Sequence, residues 1–568
     1  MISAASIPKP ANECAGIDRR EVEWQLTASD LDLVRRWLVA HPAVDGWHIE
    51  TRPTLELQDT YFDTSDWRVF RSGFALRVRD AAGTAEATLK ELHSASSTQA
   101  DRRELTEPLG GTERESLLGL VGPVGARVHA VAGTQPLLPL FGVRTSRQRF
   151  ALRFEDSAEA QGEVALDETI ISRPDGAAQT SLQRVEVEAL TAESSDLEAF
   201  VDLIRRECAL IPATDSKYAV GLNCVGLAPP TAPQFESVCA NGTMRVDEVA
   251  LISLRRYVSD WIAYEPAARL GESPDALHDL RVAGRRIDAT LALFAPFLPT
   301  SWLRMRARLK WLMRTFGPVR DLDIQLGVLE QFEKELPETD RDAVTPLKFH
   351  LETEHSKARA RMLRALDAPT TSRWFERLKR MCAQSSASRG NRTQPLAVGV
   401  VPALVRGRYR KFRKAAKRLT AASSAEDYHE VRVKVKKLRY AIETVAGVYG
   451  KPAERFLRSL RQLQNSLGEQ QDAHVAQMSL QVLARQSRKR FPRETMFLMG
   501  RFAERQSVSG RHARDDFEKD NRQLHRKRWK RLGRKLDALS GQSNERQGDG
   551  GSSDAANPPV AAPASSST

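Results

Sequence analysis

Residues 278–286 read HDLRVAGRR and residues 429–437 read HEVRVKVKK. Each segment opens on a histidine, places Arg-Val three and four residues on, and ends on two basic residues seven and eight after the histidine. Gly317 and Asp321 follow His278 at the same offsets at which Gly468 and Asp472 follow His429. Arg304 and Arg455, Leu309 and Leu460, Lys310 and Arg461, and Leu312 and Leu463 are further pairs at the same separation of 151 residues. Such self-similarity predicts an internal duplication. On a helix His278, Arg281 and Arg285 share one face, as do His429, Arg432, Lys436 and Arg439. Matched cations on two helices of each copy predict a continuous basic surface. Neither histidine has a second metal ligand at suitable spacing, so phosphate contact is the expectation for both.

Around these segments the pattern is helical throughout. From about residue 244 apolar residues recur every three or four positions, which predicts an all-α domain over 244–540, with repeat units of about 244–390 and 391–540. Helices are expected over 301–316 and 319–336, and over 453–467 and 469–486, with breaks marked by Pro369, Gly407 and Pro452. Residues 227–243 are Pro- and Ala-rich and read as a linker. Residues 541–568, rich in Gly, Ser, Ala and Pro, read as a disordered tail.

Charge divides the chain in the same way. Residues 1–230 hold 24 basic and 35 acidic side chains, a net of −11, whereas the remainder carries +24. An acidic front and a basic back suggest a metal in one and a polyanion on the other. The five cysteines are scattered without a CxxC, which argues for a reducing compartment and against a zinc cluster. The first residues carry no signal-peptide pattern, and the longest apolar run, Leu396–Val405, is about half a membrane span. A cytoplasmic protein with no membrane partner is the expectation.

Residues 1–18 read as a flexible N-terminus. Over 19–226, short alternating segments separated by Gly, Asp, Ser and Pro predict antiparallel strands in a barrel or sandwich, with an amphipathic helix at 27–41 capped by Ser29 or Asp30 and further helices at 112–121 and 193–209. The polar positions of these strands are charged two by two: Glu21 and Glu23, Arg77 and Arg79, Lys90, Arg102 or Arg103, Arg147 and Arg149, Glu163 and Asp167, Glu186 and Glu188. Residues two apart on a strand share a face. A barrel closed on these faces has a lumen of carboxylates and cations, which fits a triphosphate with divalent metal. The alternative is an outer face laced with cross-strand ion pairs.

The segments EVEWQ, YFDT, FALRVR, TLK, VEVE and SKY resemble the CYTH family, the triphosphate tunnel metalloenzymes, over roughly residues 19–226. The resemblance implies an eight-stranded antiparallel tunnel that hydrolyses inorganic triphosphate or a related compound with Mg²⁺ or Mn²⁺. It implies metal binding by Glu21, Glu23, Glu186 and Glu188, with Asp167 a weaker candidate, and phosphate binding by Arg77, Arg79, Lys90, Arg103, Arg147, Arg149 and Lys217. Catalysis would rest on Glu21, Glu23, Arg77, Arg79, Lys90 and Lys217. One position departs: Gln25 stands where the family carries lysine, which puts catalysis itself in question. Residues 244–535, through LHDLRVAGRR with FGPVRDLD and YHEVRVKVKKLRY with LGEQQDAH, resemble the CHAD family. That resemblance implies two pseudo-symmetric four-helix units and inorganic polyphosphate binding by His278, Arg281, Arg285, Arg286, Arg304, Lys310, His429, Arg432, Lys436, Lys437, Arg439, Arg455 and Arg461. The alternative function is a non-catalytic, granule-associated polyphosphate binder. Nucleic acid is not the expected partner, because no helix-turn-helix, RNP-like or zinc signature is present.

Overall fold

A computed structural model of the chain describes residues 16–548 except 82, 93–98, 112–116, 118, 156, 177–178, 192–194, 230–234, 236–239, 385–393, 421, 487–490 and 525–527. The N-terminal lead over 1–15, much of the linker, part of the helix at 112–121 and the tail from 549 lie outside the described residues. The chain divides into two compact units, one formed by residues up to 232 together with 262–277, the other by 233–261 with 278 onward.

In the first unit the strands are β1 (Ile17–Thr27), β2 (Ala43–Val44), β3 (Trp47–Thr64), β4 (Phe74–Ala81), β5 (Thr84–Glu91), β6 (Gln99–Leu109), β7 (Leu137–Phe154), β8 (Gly162–Ser172), β9 (Gln179–Ala189) and β10 (Ile211–Pro212). Eight of them pair in the order β1-β6-β5-β4-β3-β7-β8-β9, and β9 pairs back onto β1, so the antiparallel sheet closes. Closure leaves no free edge around the ring.

The apolar core lies outside the barrel wall rather than within it. Trp24 and Leu26, Phe150 and Leu152, Val164 and Leu166, and Val185 and Val187 all point outward. They pack on Leu31, Val34 and Leu38 of the helix Leu31–Ala40, and on Phe200, Val201 and Ile204 of the helix Ser195–Glu207. The opposite wall puts Leu76, Val78, Leu89 and Leu105 against Val124, Val128 and Val131 of the helix Pro123–Ala132. Each such side chain contributes about 1.5–3 kcal/mol when fully buried, and this outer layer offsets the cost of a charged interior. Asp30 caps the first helix, accepting from the Asp32 backbone at 2.8 Å, as one of the two expected caps.

A short helix, Lys217–Cys224, capped by Ser216, carries Lys217 to the barrel. It sits so close that a Cβ on Gly221 would lie 2.2 Å from the Phe141 ring. Gly221→Ala is therefore expected to cost about 1–3 kcal/mol by overpacking, measured as a lower denaturant midpoint for the barrel unit.

The helical region consists of Val246–Leu270, Pro274–Leu293, Thr300–Lys334, Thr345–Asp367 and Pro369–Ala383, then Ala397–Ala416, Ala425–Tyr449, Lys451–Gln486, Arg493–Gln523 and Trp529–Gly548. The first three helices of each set begin 151 residues apart, so the duplication governs the architecture. Among the described residues each set has five such helices, one more than the expected four. The expected separations between 301–316 and 319–336 and between 453–467 and 469–486 do not occur, and Gly407, an expected break, lies inside Ala397–Ala416. Thr300–Lys334 and Lys451–Gln486 are continuous helices of 35 and 36 residues. The roughly 3 kcal/mol that an interior proline costs is outweighed by the buried stripe through Leu309, Leu312, Phe316 and Val319. Residues 541–548, expected to be disordered, continue the last helix.

Candidate functional site

Strand parity gathers the predicted charges. β1 pairs Glu23 with Glu188 and Gln25 with Glu186 on β9, and Glu21 with Arg102 on β6, so these side chains share the inner face. The lumen has a volume of about 270 Å³. Glu21, Glu23, Arg77, Arg79, Lys90, Glu163, Glu186, Glu188 and Lys217 all line it, together with Arg147.

No lumen cation stands alone. Lys90 Nζ lies 2.5 Å from Glu21 and 3.5 Å from Glu23, and Arg102 contacts both carboxylates. Arg79 binds Asp59 through two hydrogen bonds of 2.7 and 2.8 Å, with Arg77 between Asp59 and Glu104. Arg147 grips Asp167 at 2.8 and 2.6 Å and Glu186 at 2.5 Å, while Lys217 contacts the same two acids. Arg149, predicted among the phosphate-binding cations, does not line the lumen and lies beside Glu163 at 3.6 Å.

Electrostatics separate the late acid pair. Burial alone would raise the Glu186 carboxyl, but Lys217, Arg147 and Lys90 hold it well below the usual carboxylate range. Glu188 goes the other way. Burial, and then repulsion from Glu21, push its pKa up to about 6, with Arg19 at 3.3 Å only partly offsetting them.

Two further predicted positions are corrected. Arg103 points away from the lumen and makes two hydrogen bonds of 2.8 and 2.7 Å to Asp18. Its neighbour Arg102 takes the inner place, because Leu105 shares the parity of Arg103 and belongs to the outer apolar layer. Asp167, read as a metal-side acid, has a side chain 0% exposed and underlies Arg147 and Lys217 rather than facing the cavity. Sequence reasoning also missed Asp59, Arg19, Glu104 and Arg184; the first three become visible only once the pairing of β3 with β4 and β1 with β6 is known.

In the helical unit the two repeats converge. Arg281 donates to the Met313 carbonyl at 3.2 Å, and Arg432 lies 3.8 Å from Asp472. A Cβ on Gly317 would meet Arg281 at 3.7 Å, and one on Gly468 would meet Arg432 at 3.9 Å, so each arginine crosses the glycine of its own copy. Burial pushes Lys436 down to about 7, helped by Arg432 and Arg285. Burial, then Arg285, lowers Arg281 to about 10.

In front of this cluster lies a groove of about 950 Å³ with an apolar floor that includes Ala289, Ala292 and Leu404. Arg285, Lys310, Lys436 and Lys437 line it as predicted surface residues, joined by Arg306, Arg314, Arg408, Lys411 and Lys434 against one acid among the described residues, Asp288. Other predicted positions are elsewhere. Arg286, Arg439 and Arg461 surround Glu443 at 3.3, 3.4 and 3.8 Å. His429 is exposed, with Nδ1 2.8 Å from the Gln471 side chain, in a shallow recess shared with His474. Arg304 and Arg455 are exposed, and His278 is half-buried; none of the three lines the groove.

The molecule thus joins a closed antiparallel barrel with an ionic lumen to a duplicated helical domain with a basic groove. The chain carries a CYTH domain, matched over residues 31–217, followed by a CHAD domain, matched over residues 252–481. It is 23% identical over 468 residues to an uncharacterized protein of Mycobacterium tuberculosis, a match that covers 76% of this chain and 83% of that protein. Among solved structures it is similar to the CHAD domain from the plant Ricinus communis, at 22% identity and TM-score 0.43, covering 52% of this chain and 97% of that chain. It is also similar to a putative adenylyl cyclase from Hippeastrum described as having a dominant triphosphatase activity, at 20% identity and TM-score 0.29, covering 37% of this chain and 98% of that chain. No helix among the described residues is long and apolar enough to cross a membrane.

Proposed function

We propose that the barrel hydrolyses inorganic triphosphate or a related small triphosphate with Mg²⁺ or Mn²⁺, and that the helical groove binds inorganic polyphosphate. The observation that supports this most is the charge balance of a closed lumen. Seven cationic and eight carboxylate side chains line it. An anion as charged as triphosphate needs added positive charge to rest in so balanced a set, and divalent cations supply it. The volume is just below the roughly 300–1,000 Å³ of pockets for drug-sized ligands, which suits a small anion better than a nucleotide.

The donor set fits a hard cation. Glu21, Glu23, Glu186 and Glu188 offer only oxygen, on one face of two paired strands. Among the described residues no three acids, histidines or cysteines form a ready cage. Glu188, crowded by Glu21 and raised to about 6, is the carboxylate that gains most from a cation beside it. When bound, the metal would supply neutralisation of the phosphate chain and polarisation of water. Arg77, Arg79, Lys90, Arg102, Arg147 and Lys217 would exchange their internal partners for phosphate oxygens, orient the chain, and stabilise the charge that collects on the leaving pyrophosphate. Water forms the new P–O bond as the bridging P–O bond breaks, giving phosphate and pyrophosphate.

The test is phosphate release from triphosphate, thiamine triphosphate, ATP and long-chain polyphosphate with either metal. Glu21→Ala with Glu23→Ala is expected to lower metal-dependent release from the preferred substrate by at least about 100-fold, the scale on which electrostatic stabilisation of a transition state is lost. Unchanged metal-dependent turnover in that variant would remove the assignment of the lumen. Polyphosphate binding should weaken steeply with salt, as contacts made by several cations do.

A further inference from the structure

Gln25 is the one neutral side chain in the inner run Glu21, Glu23, Gln25 of β1, and it stands opposite Glu186 in the β1–β9 register. Its amide is held at both ends. Arg184 Nη1 donates to Gln25 Oε1 at 2.9 Å, and Gln25 Nε2 donates to Glu23 Oε1 at 2.8 Å. This orientation is forced, because a guanidinium can only donate and a carboxylate can only accept. Arg184 is 4% exposed, and its other terminal nitrogen donates to the Asp215 carbonyl. Its Nε is buried with no hydrogen-bond partner. A fully charged side chain is thus kept in a buried place with part of its hydrogen-bonding capacity unused. Burial lowers its pKa, against the pull of Glu186, Asp215 and Asp167.

We propose that Arg184 is a positioning residue for the lumen, which delivers positive charge to Glu23 through the Gln25 amide, so that Arg184 and Gln25 act as one unit. This inference rests on reading the lumen as a site for triphosphate and metal. The unit fixes Glu23 at Oε1, the oxygen that Arg102 also contacts, while Lys90 lies 3.5 Å from Oε2. It also explains why position 25 is neutral. A lysine there would set its ammonium within hydrogen-bonding range of the Arg184 guanidinium, and two cations so close in a buried place repel. With Arg184 removed, the same lysine would carry the charge directly.

The test is a double-mutant cycle on the full chain with Arg184→Met, Gln25→Lys and the two together, assayed with tripolyphosphate and Mg²⁺ or Mn²⁺. Arg184→Met is expected to raise the metal concentration for half-maximal rate about tenfold or more, and Gln25→Lys alone to raise it as well. The double variant should return to within a few-fold of wild type, the signature of coupled residues. Effects that merely multiply, or an unchanged metal requirement in Arg184→Met, would overturn the proposal. Arg184→Lys, which keeps the charge, should stay near wild type, and a tenfold loss there with normal folding would also count against it. If Arg184→Met fails to fold, Gln25→Lys decides, since the proposal requires it to be impaired while Arg184 is present. Wild type that neither binds nor hydrolyses tripolyphosphate would overturn the reading of the lumen and this inference together. Active wild type without coupling would overturn the inference alone.

Discussion

Asp167→Ala is expected to destabilise the barrel unit by about 3–5 kcal/mol in the absence of any metal, the cost of leaving buried charge uncompensated. Asp167 has a side chain 0% exposed, accepts two hydrogen bonds from Arg147 and contacts Lys217. Without it, Glu186 is the remaining carboxylate among the described residues that pairs with both cations. Because Glu186 remains, the loss should fall toward the lower end of that range, and Asp167→Asn should lose less than Asp167→Ala because it keeps an acceptor. Hydrogen exchange of the β8 and β9 amides at rising denaturant would report this unit selectively. A direct metal ligand would behave differently. Its removal would shift the metal requirement and leave the metal-free protein as stable as wild type, and that outcome would sink the structural role assigned here.

The same residue shows where sequence reading stops. Alternation on single strands revealed Glu21 with Glu23, Arg77 with Arg79 and Glu186 with Glu188, because a period of two is local and a charged face repeats it. The choice between Arg102 and Arg103 was also open to local reasoning. Leu105 belongs to the outer apolar layer, and Arg103 shares its parity. Asp59 and Asp167 were not open to it in the same way. What they do depends on facing Arg79 and Arg147 in the β3–β4 and β7–β8 registers, and register is set by the whole closed sheet. β1 itself lies ahead of the stretch matched as a CYTH domain, yet it closes the ring between β6 and β9.

In the helical unit the duplication was legible, but its exceptions were not. Glu443 pairs with Arg286, Arg439 and Arg461, whereas the equivalent position of the first copy is Ala292, which floors the groove. A repeat predicts what its copies share, and this acid belongs to one copy only. Arg306, Arg408 and Lys411 reach the groove from outside the two quoted motifs, so a reading centred on the histidine motifs passed over them. The histidines that mark the motifs do not line it.

Lys436 carries the second large effect: the affinity of the helical groove for long-chain polyphosphate is expected to fall as pH rises above about 7. Burial and the neighbouring Arg432, Arg285 and Arg281 oppose its charge, and Asp472 favours it. A polyanion in the groove reverses that balance and raises the Lys436 pKa, so binding takes up a proton. Affinity then drops by up to about tenfold per pH unit until the pKa of the complex is reached. Stability has the opposite sign. Between about 7 and the ordinary value of 10.5 the unfolded chain holds a proton that the folded chain does not, so the free unit gains stability as pH climbs. Calorimetry in buffers of different ionisation enthalpy should find close to one proton taken up per site near about pH 8. Lys436→Gln should remove the uptake and flatten the profile. Lys436→Arg, charged at every pH of interest, should flatten it while binding more tightly than wild type at about pH 9. A wild-type affinity that is constant over this range, or a slope that survives in both variants, would show that Lys436 does not meet the ligand.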